Sequence, residues 1–214
     1  MIDPIAFEIF GLKVYWYGIT YVIGFLFAYF FILYYGKELG INKKTQEDIF
    51  FYVMVFSIIG ARLFEIVLYH PLYYIDNPIK IFYVWEGGMS IHGGILGGFV
   101  TLVFLAKKHK INLLKLTDLF VVPLSLALAF GRLANFVNQE LVGIVTDSSW
   151  GIIFENYDDN ARWPVQLFAG FKNLVVFEVL YFLQIFKNLK EGTISALFLI
   201  FYSFGRFFID FMRV

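Results

Sequence analysis

The run VVPLSLALAF at residues 121–130 leads straight into GRLANFVNQE at residues 131–140. An almost wholly apolar stretch thus opens onto Arg132, Asn135, Asn138 and Glu140. In water such a run is a core helix, and in a bilayer it is part of a span, so the solvent around it decides the fold. Composition answers. With 60% hydrophobic, 21% aromatic and only 16% charged residues over 214 positions, the chain holds more apolar surface than a soluble domain of its length can bury. It reads as an integral membrane protein.

Crossing about 30 Å of hydrocarbon takes about 18 or more mostly apolar residues in a helix. Six windows meet that length, roughly residues 14–36, 49–69, 88–106, 117–137, 164–186 and 193–212. Their lengths, the unequal loops between them and the lack of short alternating segments argue for helices over a barrel. The expected architecture is all-α: a polytopic transmembrane bundle forming a single membrane domain over residues 1–214. A short outer-face segment is expected at 138–163, and a seventh, shorter or re-entrant segment is left open around 74–86 or 138–163.

The net charge is zero, but Lys and Arg are unevenly placed. The connections 37–48, 107–116 and 187–192 carry three, four and two of them. The N-terminal 13 residues, the connections 70–87 and 138–163, and the residues after 212 carry one each. The positive-inside bias therefore puts the N-terminus outside. Residues 1–13 lack a basic n-region and the first span has no small-residue cleavage site, so that span is expected to stay rather than be removed as a signal peptide. The chain has no cysteine, which excludes disulfides, iron–sulfur ligation and a cysteine nucleophile of its own. Matching broken segments of the inverted-repeat transporter kind are not visible.

Orientation converts position into depth. Arg62 and Glu65 share a helix face in the outer half of the second span, His92 lies near the outer end of the third, and Arg132 about 8 Å below the outer end of the fourth. Asn135 is one turn above Arg132, Arg206 and Asp210 lie four apart in the outer half of the sixth span, and Tyr15 and Tyr17 begin the first. Charges in lipid face a bundle interior or a wet cavity. Arg62 with Glu65, and Arg206 with Asp210, read either as packing ion pairs or as site residues. Arg132 has only Leu128 and Ala129 one turn below it, so its anion comes from elsewhere. A lipid phosphate suits a guanidinium.

EGGMSIHGGILGGF at residues 86–99 sets three glycine pairs around His92. Gly93 with Gly97, and Gly94 with Gly98, have the small-xxx-small spacing of a close helix seam. Histidine adds nothing to such a seam, and its pKa near 6.5 suits proton transfer. His70 and His109 fall in connections without ligand spacing, and the glycine pairs follow no strand, so no metal, cofactor or nucleic acid is expected as a partner. The aromatic residues are assigned to lipid-facing surfaces and interfacial belts, and KKHKINLLK at 107–115 to a solvated turn near anionic lipid.

GRLANFVNQELVG, residues 131–143, resembles the signature of the prolipoprotein diacylglyceryl transferase family at Gly131, Arg132, Ala134, Asn135, Phe136, Asn138, Glu140 and Gly143. WYG at 16–18, GARLF at 60–64, GGMSIHGG at 87–94, DLF at 118–120, TDSSWG at 146–151 and FGRFFIDFMR at 204–213 resemble its other blocks in order. The resemblance implies transfer of the diacylglyceryl group of phosphatidylglycerol to the lipobox cysteine thiol of preprolipoproteins, with release of glycerol phosphate. It implies the outer face of a bacterial inner membrane as the place. His92, Arg132 and Arg206 correspond to its catalytic positions, and Tyr17, Asn135, Glu140 and Gly143 to positions around the substrate; Arg62 in GARLF joins the substrate-binding candidates. The missing enzyme cysteine fits, because the thiol arrives on the substrate.

ARWPVQLFAG at 161–170 keeps Arg162, Pro164, Gln166 and Leu167 of the family's run but carries Trp163 and Val165, with Ala169 in place of an acid. That motivates an alternative, a paralogue delivering a phosphatidylglycerol-derived group to another acceptor. A transporter or lipid-binding protein without chemistry is the alternative from a different class.

Overall fold

The computed structural model describes residues 3–186 and 189–214. Lys187, counted above in the connection 187–192, lies outside them. An N-terminal hairpin, β1 (Ile5–Ile9) and β2 (Leu12–Tyr15), turns through Phe10 and Gly11 at positive φ. Helices α1 (Trp16–Glu38) and α2 (Lys43–Phe64) follow, the second continuing into a π-helical turn at Glu65–Tyr69. After α3 (Pro71–Asp76) and two 3-10 turns come α4 (Ile91–His109) and α5 (Leu113–Val137). Two-residue strands β3 (Ile152–Ile153) and β4 (Ala161–Arg162) precede α6 (Val165–Phe186) and α7 (Thr193–Asp210).

Among the described residues six helices are long and apolar enough to cross a membrane, as the hydropathy windows led us to expect. The segments 74–86 and 138–163, left open for a seventh span, hold only short helical turns and strand pairs. The second span starts six residues earlier than its window. Asn42 caps α2 by accepting from the Thr45 amide at 2.9 Å, so the polar turn that hydropathy discounts is already helical.

The chain forms two compact units, Met1–Phe31 with Asp118–Val214, and Ile32–Thr117. In the second unit α2 and α4 meet along glycines. A Cβ on Gly60 would lie 2.5 Å from the Gly93 carbonyl oxygen, and one on Gly97 would strike the Phe56 carbonyl. The seam read from the spacing is therefore a backbone-to-backbone approach. Ser90 begins α4, its amide donating to the Ala61 carbonyl at 3.0 Å and its Oγ lying 3.4 Å from the Gly93 amide.

In the first unit Phe27 and Phe31 of α1 pack on Phe177 and Tyr181 of α6, and a Cβ on Gly24 would sit 3.3 Å from the Ala127 Cβ. At one end of α7 the buried Asp118 of α5 accepts from the Gly192 and Ser195 amides and the Ser195 hydroxyl, at 2.6, 2.7 and 2.6 Å. An acid from another helix thus satisfies the free amides and favours the positive end of the dipole. At the other end Val142–Val145 threads between the residues before α6 and those after α7. Gly143 donates to the Trp163 carbonyl at 3.1 Å and Ile144 to the Met212 carbonyl at 3.0 Å.

Candidate active site

The end of α5 is built around Glu140. The Glu140 amide donates to the Asn135 carbonyl and the Gln139 amide to the Phe136 carbonyl, at 2.9 and 3.1 Å. That pair of reversed bonds closes a helix through a left-handed residue, usually glycine. Here Gln139 takes φ 59° and Leu141 φ 56°. Non-glycine residues in that region carry strain that neighbouring contacts must offset. One such contact is the buried Gln139 side chain, which accepts from the Asn156 amide at 2.9 Å. The turn aims the Glu140 carboxylate back along α5, where Asn135 donates to it at 3.1 Å and Asn138 lies at 3.4 Å. Gln166, from the start of α6, donates to the Glu140 carbonyl at 2.7 Å.

Arg132 lies one turn below Asn135, half-buried, with Nη1 making a long 3.4 Å approach to the Asn135 side-chain oxygen Oδ1. Gly170 of α6 leaves room beside it, since a Cβ there would fall 3.6 Å from the Arg132 Cβ. Arg206 on α7 holds Asp210 in a two-point pair, Nε and Nη2 each 2.8 Å from a carboxylate oxygen. Arg213 follows three residues later, bridged by backbone to Gly143. Its charge is disfavoured by burial and then by the nearby Arg206 and Arg132, which push its pKa down. Tyr17, in the first turn of α1, stacks obliquely on Tyr21 with the two hydroxyls 3.4 Å apart, and Tyr21 lies within electrostatic range of Glu140. The first unit therefore gathers Tyr17, Arg132, Asn135, Glu140 and Arg206 at one end of its helices.

Gly143 acts through its missing side chain. A Cβ would meet the Met212 carbonyl oxygen and the Trp163 Cβ at 2.8 Å each and strike the Trp163 carbonyl. It sits between two backbones, so it positions the ends of α6 and α7. Trp163, where the sequence departs from the family's run, contributes its backbone to this ladder, which a change of side chain leaves intact. Beside it, Asp158 and Arg162 form a clip, with Arg162 also donating to the Gly143 carbonyl at 3.0 Å and lying 4.7 Å above the Tyr157 ring. The Arg162 guanidinium holds the Asp158 carboxyl well below the usual carboxylate range, and Asp158 raises the pKa of Arg162.

The second unit treats its polar residues differently. His92 is exposed in the first turn of α4, with Nδ1 3.4 Å from the Tyr69 hydroxyl. Arg62 and Glu65, three apart on one face, were open to pairing. Instead Glu65 bonds His70 Nδ1 at 2.7 Å. Arg62 donates to the carbonyls of Ile81 (2.9 Å), Gly87 (2.7 Å), Gly88 (2.9 Å), Lys80 and Tyr83, and faces the Tyr74 ring at 5.0 Å. Every guanidinium nitrogen is engaged, so the geometry gives this substrate-binding candidate an organising role in the 80–88 segment.

A family model described as prolipoprotein diacylglyceryl transferase matches residues 4–214. The chain belongs to this family. It is 42% identical over 217 residues to the phosphatidylglycerol–prolipoprotein diacylglyceryl transferase of Rickettsia bellii, covering 99% of this chain and 82% of that protein. The enzymes of the same name from Rickettsia africae and Rickettsia typhi are 42% and 40% identical, over 99% of this chain and 84% of theirs. As a member of the prolipoprotein diacylglyceryl transferase family the chain is a transferase, and its six apolar helices fit a membrane enzyme. Sequence reasoning missed Lys172 on α6, whose place beside Arg132 and Arg206 appears only on folding. The oblique signals were Gly170 and Gly205, two small residues in apolar helices.

Proposed function

We propose that this transferase moves the diacylglyceryl group of phosphatidylglycerol onto the lipobox cysteine thiol of preprolipoproteins at the outer face of the bacterial inner membrane, with Arg132 and Arg206 holding the lipid phosphate. The observation that carries this reading is Arg132: a guanidinium with no acid beside it on its helix, set about 8 Å inside a span and, among the described residues, left with one long contact to Asn135. Such a charge in an apolar helix calls for an anion, and a phosphodiester offers two oxygens to its fork.

Arg206 keeps Asp210 as partner on one edge. Asn135 and Asn138 restrain Glu140, and Tyr17 borders the same end of the unit. As the bond from the diacylglyceryl carbon to the phosphate oxygen breaks, negative charge grows on the phosphate, and fixed guanidiniums stabilise it more than they stabilise the intact lipid. His92 enters through its motif and its exposure in the first turn of α4: its imidazole takes the thiol proton, directly or through water. A thiol with pKa near 8.5 is mostly protonated at neutral pH, so a base raises the thiolate fraction.

The test is a transfer assay with purified protein, phosphatidylglycerol and a synthetic lipobox peptide, scored by peptide mass gain and glycerol phosphate release. Wild type gives both signals. Arg132→Ala loses both by about a hundredfold or more while still binding lipid, and full activity there would end the assignment. His92→Gln flattens the rise of rate with pH, and an unchanged profile removes the base role. Glycerol phosphate release without peptide gain would point instead to a paralogue with another acceptor.

A further inference from the structure

Lys172 stands seven residues into α6, about 10 Å from its start at 1.5 Å per residue, a depth close to that of Arg132 in α5. Its helical neighbours one turn away, Phe168, Ala169, Val175 and Val176, are all apolar. No acid on its own helix compensates it. The side chain crosses to α7, where Gly205 makes room: a Cβ there would run into the Lys172 stem. The ammonium then sits 3.9 Å from the centre of the Tyr202 ring, with the Tyr202 carbonyl at 3.5 Å. This is a held cation, since a ring face favours the charge and leaves the other N–H donors free.

Its surroundings are cationic. Arg132 and Arg206 both repel Lys172, and Asp210 attracts it. The same three groups act on Arg213. Three guanidiniums and one ammonium thus meet Asp210, with Glu140 reaching Arg132 through Asn135. Four cations against two carboxylates leave two positive charges at this end of the unit. A phosphodiester carries one negative charge, whereas the phosphate monoester it becomes carries about 1.5 to 2 at neutral pH.

We infer that Lys172 is a further cation of the phosphate site, placed to meet the second negative charge that appears on the leaving phosphate, so that this end of the unit favours a glycerol phosphate dianion over the intact diester. The inference rests on the transferase reading above. In that reaction the thiol proton goes to the base and the sulfur forms a bond to the diacylglyceryl carbon. The carbon–oxygen bond breaks with its electron pair on the phosphate oxygen, and the phosphate passes from monoanion to dianion. Lys172 contributes where the charge grows and little where it is already present.

The experiment compares wild type with Lys172→Met, which keeps an apolar stem along Gly205, and Lys172→Arg. For each, kcat, KM for phosphatidylglycerol and inhibition by added glycerol phosphate are measured, with thermal unfolding as the check on folding. We expect Lys172→Met to weaken product inhibition and lower kcat by about tenfold each while KM shifts by less than about threefold, with Lys172→Arg near wild type. In wild type alone, inhibition strengthens as pH rises through the second phosphate ionisation near about 6. Equal losses in KM and product inhibition, values near wild type in Lys172→Met, or flat wild-type inhibition across that ionisation each overturn the assignment. A wild type that releases no glycerol phosphate sinks the transferase reading and the Lys172 role with it; an active wild type with an indifferent Lys172→Met sinks the Lys172 role alone.

Discussion

Arg62 and Arg132 occupy similar places in the sequence, each near the end of a long apolar helix, yet their surroundings are opposite. Arg62 is 7% exposed and spends its guanidinium on five backbone carbonyls of an irregular segment. Arg132 lies in a continuous helix, nine residues past Pro123 and close to the helix end, and among the described residues it meets Asn135 at long range. Irregular backbone inside a membrane protein leaves carbonyls without partners, and an arginine with five donors is an economical hub for them. A free arginine has no such duty. The donor inventory, more than the depth, separates a scaffold from a binding group.

The contrast breaks most visibly in stability. Arg62→Met takes a donor from five carbonyls, of which Lys80 keeps the Tyr83 amide, and is expected to cost about 3 kcal/mol or more, seen as a large drop in thermal stability and faster trypsin cleavage after Lys80. Arg132→Met removes an uncompensated charge and leaves the unfolding temperature level or higher while transfer falls about a hundredfold. Equal destabilisation by the two variants would mean that Arg132 also serves the fold.

Asp118 sharpens the comparison from the side of the acids. Like Arg62 it is a buried charge consumed by backbone, here the amides that open α7. Asp118→Ala is expected to lower stability by about 1 to 2 kcal/mol, the usual effect of losing a charged cap. Activity per folded molecule should stay near wild type, because the capped end of α7 is opposite to Arg206. A variant that kept its unfolding temperature but lost transfer would place Asp118 in the chemistry instead.

What the sequence made legible follows the same divide. Six spans were readable because apolar length is a property of contiguous residues, and the windows err mainly where a polar turn extends a helix, as at Lys43–Asp48. Arg132 and Asn135 were readable because they are three apart on one helix and their relation is fixed by its pitch. Arg206 with Asp210, four apart, was readable for the same reason. The Arg62 cage, the Asp118 cap on α7, the wedge of Gly143 between Trp163 and Met212, and the reach of Lys172 across Gly205 all join residues distant in sequence. Local spacing carries no information about them. Glu65 shows the limit from the other side, since its spacing allowed Arg62, but a π-helical turn and His70 at 2.7 Å claim it instead.

The smallest expected effect concerns the clip that stands beside Gly143. Asp158 accepts from Arg162 Nε at 3.0 Å and from the Asn160 side chain at 3.2 Å, while Arg162 reaches the Gly143 carbonyl. The carboxylate pKa is depressed chiefly by its bonds to Arg162, with Asn160 adding to the effect. A carboxylate depressed in the folded state stabilises at pH values above its unfolded pKa of about 3.9, and the contribution is lost as pH falls below that value toward the depressed one. The pair is partly exposed, so salt and water weaken it. Hydrogen–deuterium exchange over residues 155–163, corrected for the intrinsic rate, should therefore be level from about pH 6 to pH 5 and rise below about pH 4. Asp158→Asn should show the raised exchange already at neutral pH and lose the acid dependence, with little change in transfer. Exchange in wild type that ignores acid would mean that the Gly143 ladder holds the segment without the clip, and that Arg162 serves it through the Gly143 carbonyl and the Tyr157 ring.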